Sequence, residues 1–345
     1  VRVPGSVADG RYWVLACADA RRKVRERRER NNCHASAHRI LVATPSPPAP
    51  SVPATATTPT KPGAPAGTLV AAVGDIACDA AKAETALTCR HRHVAPLVAG
   101  ASAFFALGDL QYEEGTAAQF AGSYDHSFGP YKSITRPVPG NHEYDDPAGS
   151  AAGYFGYFGS RAGDPTKGYY SFDVGGWHIV ALNSNCDFVS CAGGSPQETW
   201  LRADVAAHPN RCVAAMWHHP LESSFTDPSA GGAHTGNEPR VAPLWKALRE
   251  AKADLILTGH SHNYERFAPM TETGAASTTG VRQIVVGTGG EEHHPILPAG
   301  VYSTSQKIES LDFGLLRLRL TPTAYSWAFV NEGGQTLDSG SATCR

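Results

Sequence analysis

Seven side chains in this 345-residue chain combine the types and the placement needed to hold metal ions: Asp75, Asp109, Tyr112, Asn141, His218, His260 and His262. The clearest stretch is Gly259–His260–Ser261–His262, two imidazoles two residues apart at a turn. That spacing suits a pair of adjacent ions better than one closed site, where zinc spacings are longer and cysteine-rich. The set mixes carboxylate, phenol, amide oxygen and imidazole, with no cysteine. Such donors suit iron, manganese or zinc and argue against a structural zinc. Seven donors are too many for one tetrahedral ion and suit two ions sharing a bridging carboxylate. Two ions about 3.5–4 Å apart form a clamp for in-line attack on phosphorus, acidifying a water near neutral pH and holding the phosphate oxygens.

The elements that must position these donors are short apolar runs, each ending just before one of them. Leu69–Val73 leads to Gly74–Asp75, Ala103–Leu107 to Gly108–Asp109, and Thr135–Val138 to Gly140–Asn141–His142–Glu143. Val213–Met216 leads to Trp217–His218–His219–Pro220, and Leu255–Thr258 to Gly259–His260. The runs lack alternation, which predicts strands covered on both faces in an α/β sheet. Helices are expected around 94–99, 116–128, 196–206 and 239–251. Open α/β sheets bind ligands beyond the carboxyl ends of their strands, and all five polar clusters fall there. Tyr169–Val174 and Trp177–Leu182 read as a hairpin across Gly175–Gly176. Strands at 283–286, 315–320, 324–330 and 336–339 make a β-rich C-terminal part, expected to pack as a second sheet of the same domain.

The ordered stretches GD, GDLQY, GNHE, HHP and GHSH, ending at Asp75, Tyr112, Glu143, Pro220 and His262, resemble the calcineurin-like metallophosphoesterase superfamily, and within it the purple acid phosphatase branch. The general superfamily carries a histidine two residues after the first aspartate. Here that position is Ala77, and the branch's substitute, the tyrosine of GDxxY, is present as Tyr112. The resemblance implies a four-layer α/β/β/α sandwich of two mixed sheets. It implies that Asp75, Tyr112 and His262 hold one ion, Fe(III), that Asn141, His218 and His260 hold a second, Fe, Zn or Mn, and that Asp109 bridges them. It selects His218 as ligand, two residues before the proline, and leaves His219 facing the phosphate. His142 takes the part of the general acid at the leaving oxygen, oriented by Glu143. The activity implied is hydrolysis of small phosphomonoesters by a metal-activated hydroxide. A phosphodiesterase or nucleotidase on the same scaffold uses the same metals and differs only in the pocket walls. A non-catalytic exported interaction module would have lost ligands, and none is lost.

The rest of the chain frames this reading. Net charge is −2, which gives no global push toward nucleic acid. The apolar runs fall far short of the roughly 18 residues of a membrane span. Eight cysteines include three plausible pairs, Cys78–Cys89, Cys186–Cys191 and Cys212–Cys344, which point to an oxidising compartment and export. Residues 1–43 read as a basic, poorly ordered arm; the order of charge and apolar run is the reverse of a secretory signal. Residues 44–67 read as a Pro/Thr/Ala linker, leaving 68–345 as the catalytic domain. Glu291–Glu292–His293–His294 follows the turn 287–290 and reads either as part of the pocket rim or as a solvated loop. No P-loop lysine follows that turn, and no GxSxG elbow is present.

Overall fold

The short apolar runs form strands buried along nearly their whole length. A computed structural model of the chain describes residues 10–17, 33–42, 67–209, 212–225, 236–294 and 300–345. By contacts the chain divides into residues 1–61 and 62–345. In the first unit Gly10–Cys17 (β1) and Cys33–Val42 (β2) pair antiparallel, with Cys17 opposite Cys33. The remainder of the expected basic arm, and the expected linker up to residue 66, lie outside the described residues.

In the second unit the strands are Thr68–Val73 (β3), Ala103–Leu107 (β4), Thr135–Val138 (β5), Tyr170–Val174 (β6), Trp177–Ala181 (β7), Cys212–Met216 (β8), Leu255–Thr258 (β9), Tyr264–Phe267 (β10), Arg282–Val286 (β11), Ser305–Glu309 (β12), Gly314–Thr321 (β13), Ala324–Asn331 (β14) and Thr336–Thr343 (β15). They build two mixed sheets, ordered β15-β14-β13-β3-β4-β5 and β12-β10-β11-β9-β8-β7-β6. Strands β3, β4 and β5 run parallel in the first sheet, as do β7, β8, β9 and β11 in the second. The C-terminal strands do not make a sheet of their own. Strand β13 pairs antiparallel with β3, so β13 to β15 extend the first sheet, while β11 and β12 complete the second.

Side chains alternate between two cores. Ile179, Ala181, Ala214, Met216, Leu255 and Leu257 face inward against Val70, Leu316 and Leu318 of the first sheet. Val180, Val213, Ala215 and Ile256 face outward against helices Pro196–Ala206 and Ala242–Glu250. The first of these helices starts where Ser195 accepts the N–H of Glu198 and proline occupies the first turn. The second buries Leu244, Trp245, Ala247 and Leu248, a helical stripe. Over the other face of the first sheet, Phe120 in helix Ala117–Gly122 and Phe158 in helix Ala152–Phe158 join the core, and Phe128 stacks on Phe104 at 5.3 Å. The result is the α/β/β/α sandwich, with the carboxyl ends of both sets of parallel strands brought to one edge.

Among the described residues disulfides join Cys78 to Cys89, Cys186 to Cys191 and Cys212 to Cys344, as the spacings suggested. Among the described residues no helix is long and apolar enough to cross a membrane.

Candidate metal centre

Backbone geometry at the strand ends is unusual where the donors sit. Asp75 (φ 59°), Asp109 (φ 48°) and His260 (φ 67°) all adopt the left-handed region. For residues other than glycine this costs on the order of 1–3 kcal/mol each, and such strain gathers at functional sites. Each turn folds the chain back so that a side chain points over the sheet edge. Close approach explains two of the motif glycines. A Cβ on Gly140 would stand 2.1 Å from Asp109 Oδ1, and one on Gly108 2.5 Å from His218 Nδ1. The two sheets touch here: Gly74 N–H donates to the Val286 carbonyl at 2.9 Å.

The donors converge. Tyr112 Oη lies 3.2 Å from Asp75 Oδ1, 3.1 Å from Asp109 Oδ2 and 3.0 Å from His262 Nε2. His262 Nε2 is 3.3 Å from Asp75 Oδ1. On the other side of Asp109, His218 Nε2 stands 3.1 Å from Asp109 Oδ2, yet no hydrogen bond is aligned between them. His218 Nδ1 is 2.8 Å from the Leu107 carbonyl, an acceptor that sets Nδ1 as a protonated nitrogen and leaves Nε2 facing Asp109. His260 Nδ1 is 3.1 Å from Asn141 Oδ1, and its ring centroid is 5.1 Å from that of His218. Donor atoms of Asp75, Asp109 and His218 all lie within 4.8 Å of one another, as do those of His218, His219 and His260. An open cavity of about 340 Å³ covers Asp109, Tyr112, Asn141, His142, His260 and His262.

Electrostatics fit a cation at this point. Burial raises the Asp75 carboxyl to about 7; neighbouring Asp109 adds to this and His218 opposes it. Asp109 feels the same burial, but His218 and His142 hold it well below the usual carboxylate range. Burial and the carboxylates of Asp109 and Asp75 push the Tyr112 phenol well above its ordinary value. Burial lowers His218, but Asp109 beside it lifts the ring to about 9. Burial takes His262 down to about 3 and His260 well below the ordinary range, so both rings are neutral and able to ligate. Two buried carboxylates, a buried phenol and neutral imidazoles in one place are the donor chemistry of a hard multivalent cation.

The family model for the calcineurin-like phosphoesterase matches residues 68–264, the stretch that carries every one of these side chains. The chain belongs to the calcineurin-like phosphoesterase family. Its sequence relatives include purple acid phosphatases. Purple acid phosphatase 22 of Arabidopsis thaliana is 34% identical over 126 residues, 35% of this chain and 27% of that protein. Acid phosphatase type 7 of Danio rerio is 28% identical over 212 residues, 53% of this chain and 46% of that protein. The match thus spans about a quarter to a half of these relatives' length. Among solved structures, the purple acid phosphatase PPD1 from yellow lupin (Lupinus luteus) seeds superimposes with a TM-score of 0.64 at 21% identity, covering 82% of this chain and 55% of that one. That likeness is one of fold.

In this calcineurin-like phosphoesterase all seven donors expected from the sequence stand together. His142 lies beside them, its ring 4.3 Å from that of Tyr112 and its Nε2 4.0 Å from Asp109 Oδ2. Burial lowers the His142 pKa, but Asp109 and the Glu113 carbonyl outweigh it, and the net shift is upward. His219 lies beside His260, its Nδ1 2.9 Å from Ser184 Oγ and its ring 4.5 Å from that of His260. Glu143 does not orient His142. Its carboxylate accepts the N–H groups of Asp109, Leu110 and Gly140, and so holds the two donor loops together. The ring of His142 is held instead by the Glu113 carbonyl and by Asp145, 3.6 Å away. Of the two readings of 291–294, the rim is the right one, since Glu291, Glu292 and His294 line the cavity. Sequence reasoning missed Lys82, Glu113 and Ser184. Lys82 and Ser184 lie in loops with no motif of their own, and Glu113, next to Tyr112, acts on His142 through its backbone carbonyl, which side-chain patterns do not reveal.

Proposed function

We propose that this chain is an exported phosphatase that hydrolyses small phosphomonoesters at a pair of metal ions. The observation that carries the reading is the convergence of seven metal-type donors from five strand ends of two sheets. Asp75, Tyr112 and His262 would hold one ion, Asn141, His218 and His260 the other, with Asp109 between them. A phenolate beside two carboxylates favours Fe(III) at the first position; Fe, Zn or Mn suits the second. When bound, the ions would supply an acidified water and neutralise charge on the phosphate oxygens.

The chain's own residues complete the chemistry. Glu143 and the motif glycines fix the loops, so the donors need little rearrangement when the site fills. The Glu113 carbonyl, on Nδ1 of His142, leaves Nε2 facing the cavity, where it would deliver a proton to the leaving oxygen. His219, oriented by Ser184, would contact the phosphate. The catalytic unit runs from residue 68 to 345, and its three disulfides support an oxidising compartment. The deciding experiment is metal analysis of purified protein together with turnover of an aryl phosphate. About two ions per chain with hydrolysis is the expected result; fewer ions and no turnover would overturn the reading.

A further inference from the structure

Glu291 has no part in the reading above, yet its surroundings are built. It is 3% exposed. One carboxylate oxygen is taken by the ammonium of Lys82, and the other lies 3.9 Å from Nδ1 of His262. Its backbone N–H donates to the Asp75 carbonyl at 3.3 Å, and its carbonyl accepts from Cys89 N–H at 2.9 Å and Thr88 Oγ1 at 2.6 Å. Glu291 is therefore tied to one donor residue through its backbone, and to the loop closed by the Cys78–Cys89 disulfide. The rest of the segment grips the same histidine. His294 stacks on the His262 ring at 3.7 Å and 8°, with Phe225 on its far face at 4.2 Å. His294 N–H donates to the His262 carbonyl at 3.3 Å.

His262 points Nε2 at Tyr112 and Asp75, which leaves Nδ1 on the opposite side of the ring, buried and without a hydrogen-bond partner. An imidazole that ligates through Nε2 carries its proton on Nδ1. A carboxylate accepting that proton fixes the ring and raises its basicity. Closing the gap from 3.9 Å to a charge-assisted hydrogen bond needs a shift of about 1 Å. An ion pair with Lys82 alone is a weak reason to bury this carboxylate. The Lys82 side chain is 35% exposed, and such pairs contribute about 0–1 kcal/mol, whereas desolvating a carboxylate costs several. The stack sets the plane of the His262 ring and leaves its rotation within that plane to another group.

We propose that Glu291 is a positioning residue that receives Nδ1–H of His262 and so tightens the ion held by Asp75, Tyr112 and His262. The inference rests on the two-ion reading. Its test uses the full-length, metal-loaded protein and the variants Glu291→Gln, Glu291→Asp and Lys82→Met. Metal is counted during dialysis against a chelator, and the visible band of a Tyr112 phenolate on Fe(III) is followed in parallel. Glu291→Gln should lose the ion of the Tyr112 position about 10–100-fold faster than wild type, with its band, while the other ion stays. Glu291→Asp should recover part of the retention, and Lys82→Met should hold both ions. Wild-type release and an unchanged band in Glu291→Gln would overturn the proposal. So would a Lys82→Met variant that reproduces the loss, since Glu291 would then serve only to anchor the lysine. Wild-type protein that binds no ions would overturn the two-ion reading itself, a different and separable failure.

Discussion

The carboxylate of Glu143 receives the backbone N–H of Asp109 at 2.9 Å, and thereby couples the turn after β5 to the turn after β4. The same side chain accepts from Gly140 at 2.6 Å, Leu110 at 2.8 Å and Gln111 at 3.4 Å, so one buried group satisfies four amides. Glutamine at this position would turn an NH2 toward at least one of those donors. Glu143→Gln should lose about 2–4 kcal/mol of stability in urea unfolding. It should also lower metal content, although Glu143 is not itself among the donors.

Asn141 and His260 meet at 3.1 Å and are proposed to hold the ion that Tyr112 does not. Replacing either by alanine should leave about one ion per chain, counted by elemental analysis, and cut turnover at least about 100-fold. Full activity in either variant would refute the division of donors.

His142 predicts a dependence on the leaving group. A general acid contributes about 10²–10⁴-fold, and most where the leaving oxygen is basic. His142→Asn should therefore slow hydrolysis of an alkyl phosphate strongly and that of a nitrophenyl phosphate much less. Equal losses on both substrates would point to phosphate binding instead.

How much of this was legible in the sequence varies with the range of the interaction. Asp75, Asp109, Asn141, His218, His260 and His262 could be located because each follows a buried strand within four residues, a purely local signal. Strands β13 to β15 were recognisable as strands, but their sheet was not. Their partner β3 lies more than two hundred positions earlier, and pairing is decided by packing rather than by local pattern. Strands β10 and β12 escaped notice because polar residues break their apolar pattern: Glu265 and Arg266 in one, Ser305, Gln306 and Lys307 in the other. Glu143 was misread because its motif neighbour His142 suggested a pair, whereas a buried carboxylate goes to the unsatisfied amides within reach.

Stability should depend on pH through a group outside the proposed metal site. His178 is buried on β7, with Nε2 2.8 Å from Asp204 and Nδ1 3.1 Å from Asp173, and it stacks on His208 at 3.6 Å. Burial lowers its pKa, but the two carboxylates more than compensate, so the folded value lies above the ordinary one. The unfolded histidine titrates at about 6.5, so this stabilisation is fully present below that pH and is lost as pH rises through the folded pKa. Thermal melts of wild type and His178→Gln should therefore differ most at about pH 5 and converge at alkaline pH.

The disulfides should rank by the loops they close. Cys212–Cys344 spans 132 residues and Cys186–Cys191 spans 5. Chain entropy assigns about 5 kcal/mol to the first and about 2 kcal/mol to the second. Cys344→Ser should therefore lower the melting temperature more than Cys191→Ser, and equal losses would contradict the entropic account.

The meeting of both sets of strand ends at one edge also bears on how activity should be interpreted. No fragment containing only one sheet holds either proposed donor set whole, since Asp75, Asp109 and Asn141 follow strands of one sheet and His218, His260 and His262 follow strands of the other. On the proposed function, a chain in which either sheet is missing or unformed would remain silent in a turnover assay, however much of it had collapsed. Specific activity would then act as a gauge of completed folding, and preparations that differ in turnover per milligram could simply contain different native fractions of one and the same catalyst.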